Sequence, residues 1–66
     1  MEPVDSSDLA CVGYENGTMH ISFQNGGLYA YYNVPMSIHR ELMNAPSHGR
    51  YFHTYIKGKY RATRIS

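Results

Sequence analysis

The 66-residue chain holds a single cysteine, Cys11, which excludes an internal disulfide and favours a reducing compartment. No apolar stretch approaches the roughly 20 residues needed to cross a bilayer. The first ten residues, MEPVDSSDLA, are acidic and lack the basic start and apolar run of a secretory signal. The expectation is a cytoplasmic protein with no membrane association. CxxC and HExxH are both absent, and the glycine-rich segment QNGGLY has no Walker lysine and falls between two apparent strands. Before residue 40 there is no lysine or arginine: Glu2, Asp5, Asp8 and Glu15 give that part −4. From Arg40 onward six basic residues face Glu41 alone, giving +5, so the net charge of +1 conceals a strong asymmetry. The basic half suits phosphates or an acidic partner, provided the fold keeps the halves apart.

A chain this short makes one domain, here residues 1–66, with a core that rarely supplies more than about 3–5 kcal/mol net. Self-association into a homo-oligomer is therefore one expected route to stability. The 42% apolar content is sufficient for a globular fold, and no segment has the composition of a disordered one.

LACVGYENGTMHISFQNGGLYAYYNV reads as three strands joined by two tight turns. Asn16-Gly17 tolerates positive φ at both positions and suits a two-residue hairpin loop. In the second strand Met19, Ile21 and Phe23 alternate with Thr18, His20, Ser22 and Gln24, so one face is buried and the other wet. The second turn has two readings. A two-residue loop, Asn25-Gly26, pairs Phe23 with Leu28 and Ile21 with Ala30, placing Leu28, Ala30, Tyr32 and Val34 inside. A three-residue loop, Asn25-Gly26-Gly27, pairs Phe23 with Tyr29 and Ile21 with Tyr31, placing those tyrosines inside. Gly27 suits the left-handed position ending a three-residue loop, which favours the second reading.

After NVP the period becomes helical. Pro35 suits the first helical position, Ile38, Leu42 and Ala45 form a stripe with Met43 beside them, and Pro46 stops the helix. Ser47 is a good N-cap for a second helix, HGRYFHTYIKGK, with Phe52, Tyr55, Ile56 and the stem of Lys59 on one stripe and Gly58 at its end. In the tail YRATRIS, Tyr60 and Ile65 suggest packing back or a short edge strand. The expected fold is α+β: a three-stranded antiparallel meander followed by two helices packed on one face, β-β-β-α-α, with a short C-terminal strand as an addition. Met19, Ile21, Phe23, Ile38, Leu42, Phe52 and Ile56 should make one core with Tyr29 and Tyr31 on its side of the sheet.

The segments VDSS…VGY, GTMHISFQNGGLYAYYNVP and LMNAPSHGRYFHTYIKGKY occur in an order that resembles the KTSC domain, from Val4 to Tyr60. The similarity includes the family's Y-x-Y at Tyr29-Ala30-Tyr31, then Val34-Pro35, and its S-x-G at Ser47-His48-Gly49. The resemblance implies a module of about this length, found at the C-terminus of some lysyl-tRNA synthetases and as a stand-alone bacterial or phage protein. It also carries a suggested role in RNA binding, drawn from the synthetases that the domain accompanies, and is no evidence of catalysis.

For Tyr29 and Tyr31 a stacking platform for single-stranded bases competes with simple filling of a core too small to do without aromatics. Arg50, Lys57, Lys59 and Arg61 are the candidate phosphate contacts, interleaved with Tyr51, Tyr55 and Tyr60. The site expected on this basis is Tyr29, Tyr31, Arg50, Lys57, Lys59, Tyr60 and Arg61. The bland alternative is a solvated helix face, and a charge excess this small falls short of a dedicated nucleic-acid protein. His20, His39, His48 and His53 read as solvent-facing, since His48 and His53 are five apart and miss the helical step that aligns metal ligands. Cys11 reads as a packed hydrophobe. No metal, cofactor or enzymatic activity is expected. Two classes of partner remain: RNA or another single-stranded nucleic acid, and a host or cellular protein. Capture of a small nucleotide between subunits of an oligomer is a third, lesser reading.

Overall fold

The computed structural model describes all residues, 1–66. The chain runs β1 (Glu2–Pro3), β2 (Leu9–Glu15), β3 (Thr18–Phe23), β4 (Leu28–Tyr31), α1 (Met36–Asn44), α2 (His48–Tyr55) and β5 (Ala62–Arg64). The strands form one antiparallel sheet in the order β1-β2-β3-β4-β5. No helix is long and apolar enough to cross a membrane.

The sheet therefore has five strands, four of them before the helices, where three were expected. β1 carries too little sequence to show a period: its two residues pair with Cys11 and Val12. The C-terminal edge strand is present as β5, whose residues Ala62, Thr63 and Arg64 pair with Tyr31, Ala30 and Tyr29. Gly58, at φ +76, turns the chain after α2 so that the tail can reach the exposed edge of β4. The strand order puts Glu2 on one edge of the sheet and Arg64 on the other, but Asp5 and Asp8 line depressions shared with Arg50, Lys57 and Arg64, so the two charged halves are only partly kept apart.

Asn16 and Gly17 take φ values of 53° and 81°, the two-residue turn expected from the dipeptide. The second hairpin departs from both readings. Gly26, at φ 101°, occupies the left-handed position, Gly26 N–H donates to Phe23 O at 2.9 Å, and Phe23 N–H donates to Gly27 O at 2.8 Å. The loop has three residues, but they are Gln24–Gly26 rather than Asn25–Gly27. Ile21 consequently pairs with Tyr29 and Met19 with Tyr31. This register lies two residues from the favoured one, and a two-residue shift leaves every side chain on its face. Tyr29 and Tyr31 accordingly lie on the core side.

The core comprises Leu9, Val12, Met19, Ile21, Tyr31, Val34, Leu42, Phe52 and Ile56, with Phe23, Tyr29, Ile38 and Tyr60 among the half-buried residues against it. Leu9 and Val12 are three apart, a spacing that strict alternation would send to opposite faces. A bulge between Leu9 and Cys11 inserts the extra residue that lets both point inward.

Both helices end where their flanks dictate. Pro35 is the N-cap of α1, extended at ψ 147°, one position earlier than expected. Ala45 is extended at ψ 142° because Pro46 disfavours helical backbone before it. The Ser47 hydroxyl accepts from Arg50 N–H at 3.2 Å and caps α2 as expected. α2 is shorter than anticipated, ending at Tyr55, and only Phe52 and Ile56 of the anticipated stripe are buried; Tyr55 and Lys59 are exposed. The histidines are not uniformly solvent-facing. His39 stacks on Tyr14 at 4.8 Å and 15°, and His48 Nδ1 donates to Leu42 O at 2.8 Å.

Candidate functional site

Between the C-terminal half of α2 and the β3–β4–β5 end of the sheet lies a cleft of about 450 Å³. Its floor is aromatic. Phe52 sits centrally, 5.2 Å from Phe23 at 66° and 5.6 Å from Tyr31 at 78°. Tyr29 extends the set, 5.6 Å from Phe23 at 83° and 6.4 Å from Tyr31 at 30°. The edge-to-face contacts place the positive ring edges against negative faces and fix the rings relative to one another. Gly27, buried in the hairpin, permits the close approach of Tyr29: a Cβ there would stand 3.1 Å from Tyr29 Cε1.

Burial, with smaller effects of Tyr29 and Asp8, pushes the Tyr31 hydroxyl up to about 12, so at neutral pH it is an uncharged donor. Neither the Tyr29 nor the Tyr31 hydroxyl is hydrogen-bonded within the protein, and neither is a buried orphan. Both are available to a ligand.

The rim is polar. Lys57, just past α2, and Arg64, on β5, both line the cleft. β5 pairing sets Arg64 against Tyr29, with its guanidinium carbon 5.8 Å from the ring centroid, within cation–π range. At the other end His53 Nε2 and Asp8 Oδ2 are 2.8 Å apart. Asp8 is held there by its backbone: its N–H donates to Ser6 Oγ at 3.1 Å, and its carbonyl accepts from Gln24 N–H at 2.8 Å.

Of the residues singled out from sequence, the fold gathers Tyr29, Tyr31 and Lys57 into this cleft. Arg50 lines a separate polar depression with Asp5, Ser6 and Asp8, on the far side of His53. Lys59 and Arg61 are exposed outside the cleft, and Tyr60 packs against the core. Tyr51 donates to Glu41 at 2.7 Å and leans on Tyr55, tying α2 to α1 rather than serving the cleft. The cleft residues missed from sequence are Asp8, Phe23, Asn25, Gly27, Phe52 and His53, together with Arg64. Arg64 alone had a readable signal, because a tail strand paired antiparallel to β4 brings it beside Tyr29.

Comparison with known proteins agrees with this architecture. Residues 5–60 match the family model of the KTSC domain. The chain belongs to the KTSC domain family. The crystal structure of a KTSC domain protein from Yersinia pestis is 39% identical and superposes with a TM-score of 0.96, over 98% of this chain and 94% of that one. A protein from Tsukamurella paurometabola is 33% identical over 67 residues, covering 98% of this chain and all of that protein. A 49-residue stretch is 45% identical to part of a lysine–tRNA ligase from Trichormus variabilis, covering 74% of this chain. That stretch is only 9% of the ligase, so the similarity is to one small domain of a much longer enzyme.

Proposed function

We propose that this KTSC domain is a non-catalytic binding module that holds one or two nucleotides of a single nucleic-acid strand in the aromatic cleft. The observation that carries this reading is the pairing of a half-open aromatic floor, Phe23 and Tyr29 backed by the buried Tyr31, with two cations lining the same cleft, Lys57 and Arg64. A base stacked on such a floor gains about 1–3 kcal/mol, largely independent of its identity. The rim cations meet the flanking phosphates, and the free tyrosine hydroxyls supply polar contacts at the floor's edge. The similar segment in lysine–tRNA ligases, enzymes whose name specifies an RNA, accords with this ligand class.

Two rim cations set the electrostatic scale. Each phosphate neutralised on a single strand contributes a slope of about −0.7 in log K against log salt, so the total should be about −1.4. Fluorescence anisotropy of a labelled single-stranded oligonucleotide, titrated at several salt concentrations, measures this. Replacing Lys57 and Arg64 together by glutamine should flatten the slope to near zero and remove most of the affinity, with the fold unchanged because both side chains are exposed. Binding indifferent to that double substitution, or no binding at low salt, contradicts the reading.

A further inference from the structure

A carboxylate is out of place in a cleft that receives phosphates, since it repels them at short range. Asp8 is the only carboxylate lining this one. It is held there by two backbone contacts and by His53. His53 engages only Oδ2; the other oxygen makes no hydrogen bond within the protein, and the side chain is 42% exposed. A carboxylate oxygen so placed accepts hydrogen bonds and nothing else, so the group of a nucleotide that meets it must be one of its donors, a hydroxyl or a base N–H, and not a phosphate oxygen.

The position of Asp8 selects among the donors of a nucleotide. A base must reach the aromatic floor to stack, whereas Asp8 and His53 stand on the rim, and Lys57, just past the C-terminal end of α2, lines the same cleft. The part of a nucleotide that remains at the rim, next to the phosphate, is the sugar. We infer that Asp8, positioned by His53, accepts a hydrogen bond from the ribose 2′-hydroxyl, and that the cleft thereby selects RNA over DNA. The inference rests on the nucleic-acid reading above and names the sugar that reading leaves open. The 2′-hydroxyl is the group by which a protein distinguishes the two polymers, and acidic side chains hold ribose hydroxyls in other nucleotide sites for the same reason.

The test titrates three labelled strands of one sequence against the intact protein: single-stranded RNA, single-stranded DNA with uracil bases, and RNA methylated at every 2′-oxygen. A charge-assisted hydrogen bond made by RNA alone should favour it by about tenfold or more. Methylated RNA, which has lost the donor, should behave as DNA does. Asp8→Ala should bring the RNA-to-DNA ratio close to one without weakening DNA binding, because the variant also removes a repulsive charge. Asp8→Asn, closer in shape, should lower the ratio less, and His53→Gln should reduce it by loosening Asp8. Lys57→Gln should weaken all three strands together and leave the ratio intact. Equal binding of RNA and DNA by the unaltered protein overturns the inference while the nucleic-acid reading stands. A ratio that survives Asp8→Ala, or one that follows base identity rather than sugar, also overturns it. Failure of every strand to bind overturns both, and a thermal melt of each variant shows whether any lost ratio reflects a lost fold.

Discussion

Two aromatic groups lie between the helices and the sheet, and they have opposite fates. At the α1 end Tyr14 stacks on His39, and its hydroxyl donates to Val34 O at 2.6 Å. Its ring and its oxygen are both spoken for by the chain. At the α2 end Tyr29 and Tyr31 have no partner for either hydroxyl; Phe52 of α2 packs on Tyr31, and both tyrosines line the cleft. The residue types are alike at the two ends. Coverage does not separate them, since Tyr14 is half-buried and Tyr31 is buried; what distinguishes the tyrosines of the α2 end is that the fold leaves their hydroxyls without a partner.

Phe52 belongs to both the core and the cleft floor, so its truncation produces the largest effect. Phe52→Ala should cost about 3–5 kcal/mol, most or all of the stability of so small a domain. Chemical denaturation followed by circular dichroism should show no cooperative transition, and a nearly unchanged midpoint would mean that α2 is peripheral. Next in size is a split between the two ends. Tyr29→Ala should remove about 1–3 kcal/mol of oligonucleotide affinity, whereas Tyr14→Ala should leave the affinity of the folded fraction unchanged; equal losses would erase the distinction drawn here. Smaller again is Tyr14→Phe, which deletes the bond to the Val34 carbonyl and should cost about 1 kcal/mol of stability without touching binding. Tyr31→Phe, which loses no internal hydrogen bond, should leave the denaturation midpoint nearly unchanged.

The smallest effect is a pH dependence at the α1 end. Burial lowers the pKa of His39 from its ordinary 6.5, with Glu2 opposing and Arg40 assisting, and its Nδ1 is buried without a partner. Because the folded value lies below the unfolded one, the unfolded chain takes up the proton first. The contribution of His39 is therefore complete above pH 6.5 and is lost as the pH falls through the folded value. Melting temperatures measured from pH 7.5 down to pH 5 should decline less steeply in His39→Phe than in the unaltered protein; parallel declines would assign the dependence to other groups.

The two Asn-Gly turns show how far the sequence could be read. At Asn16-Gly17 both residues adopt positive φ and the dipeptide settles the hairpin. At Asn25-Gly26 only the glycine does, because the loop begins one residue earlier, at Gln24. Local preference therefore indicates a turn and its length but not the residues within it, and the tertiary packing of Tyr29 over Gly27 makes that choice. The face of Tyr29 and Tyr31 was nonetheless readable, since a shift of two residues preserves the period of a strand. β1 was invisible because two residues carry no period. Within the cleft, Tyr29, Tyr31 and Lys57 could be named from composition and charge. Asp8 and His53 could not, since their 2.8 Å contact joins residues 45 positions apart, a pairing that no local pattern records. Arg50, Lys59 and Arg61 share the charge of Lys57 but not its location, which depends on where α2 ends and the chain turns at Gly58.

Amide chemical-shift mapping of the isotope-labelled protein, titrated with a short single-stranded RNA at low salt, tests the central claim most directly. The account predicts saturable shifts concentrated at Asp8, Phe23 to Tyr31, His53 to Lys57 and Arg64, with Tyr14, His39 and their neighbours unmoved. Shifts spread over Arg50, Lys59 and Arg61 but absent from the aromatic floor, or centred on the α1 end, would contradict it.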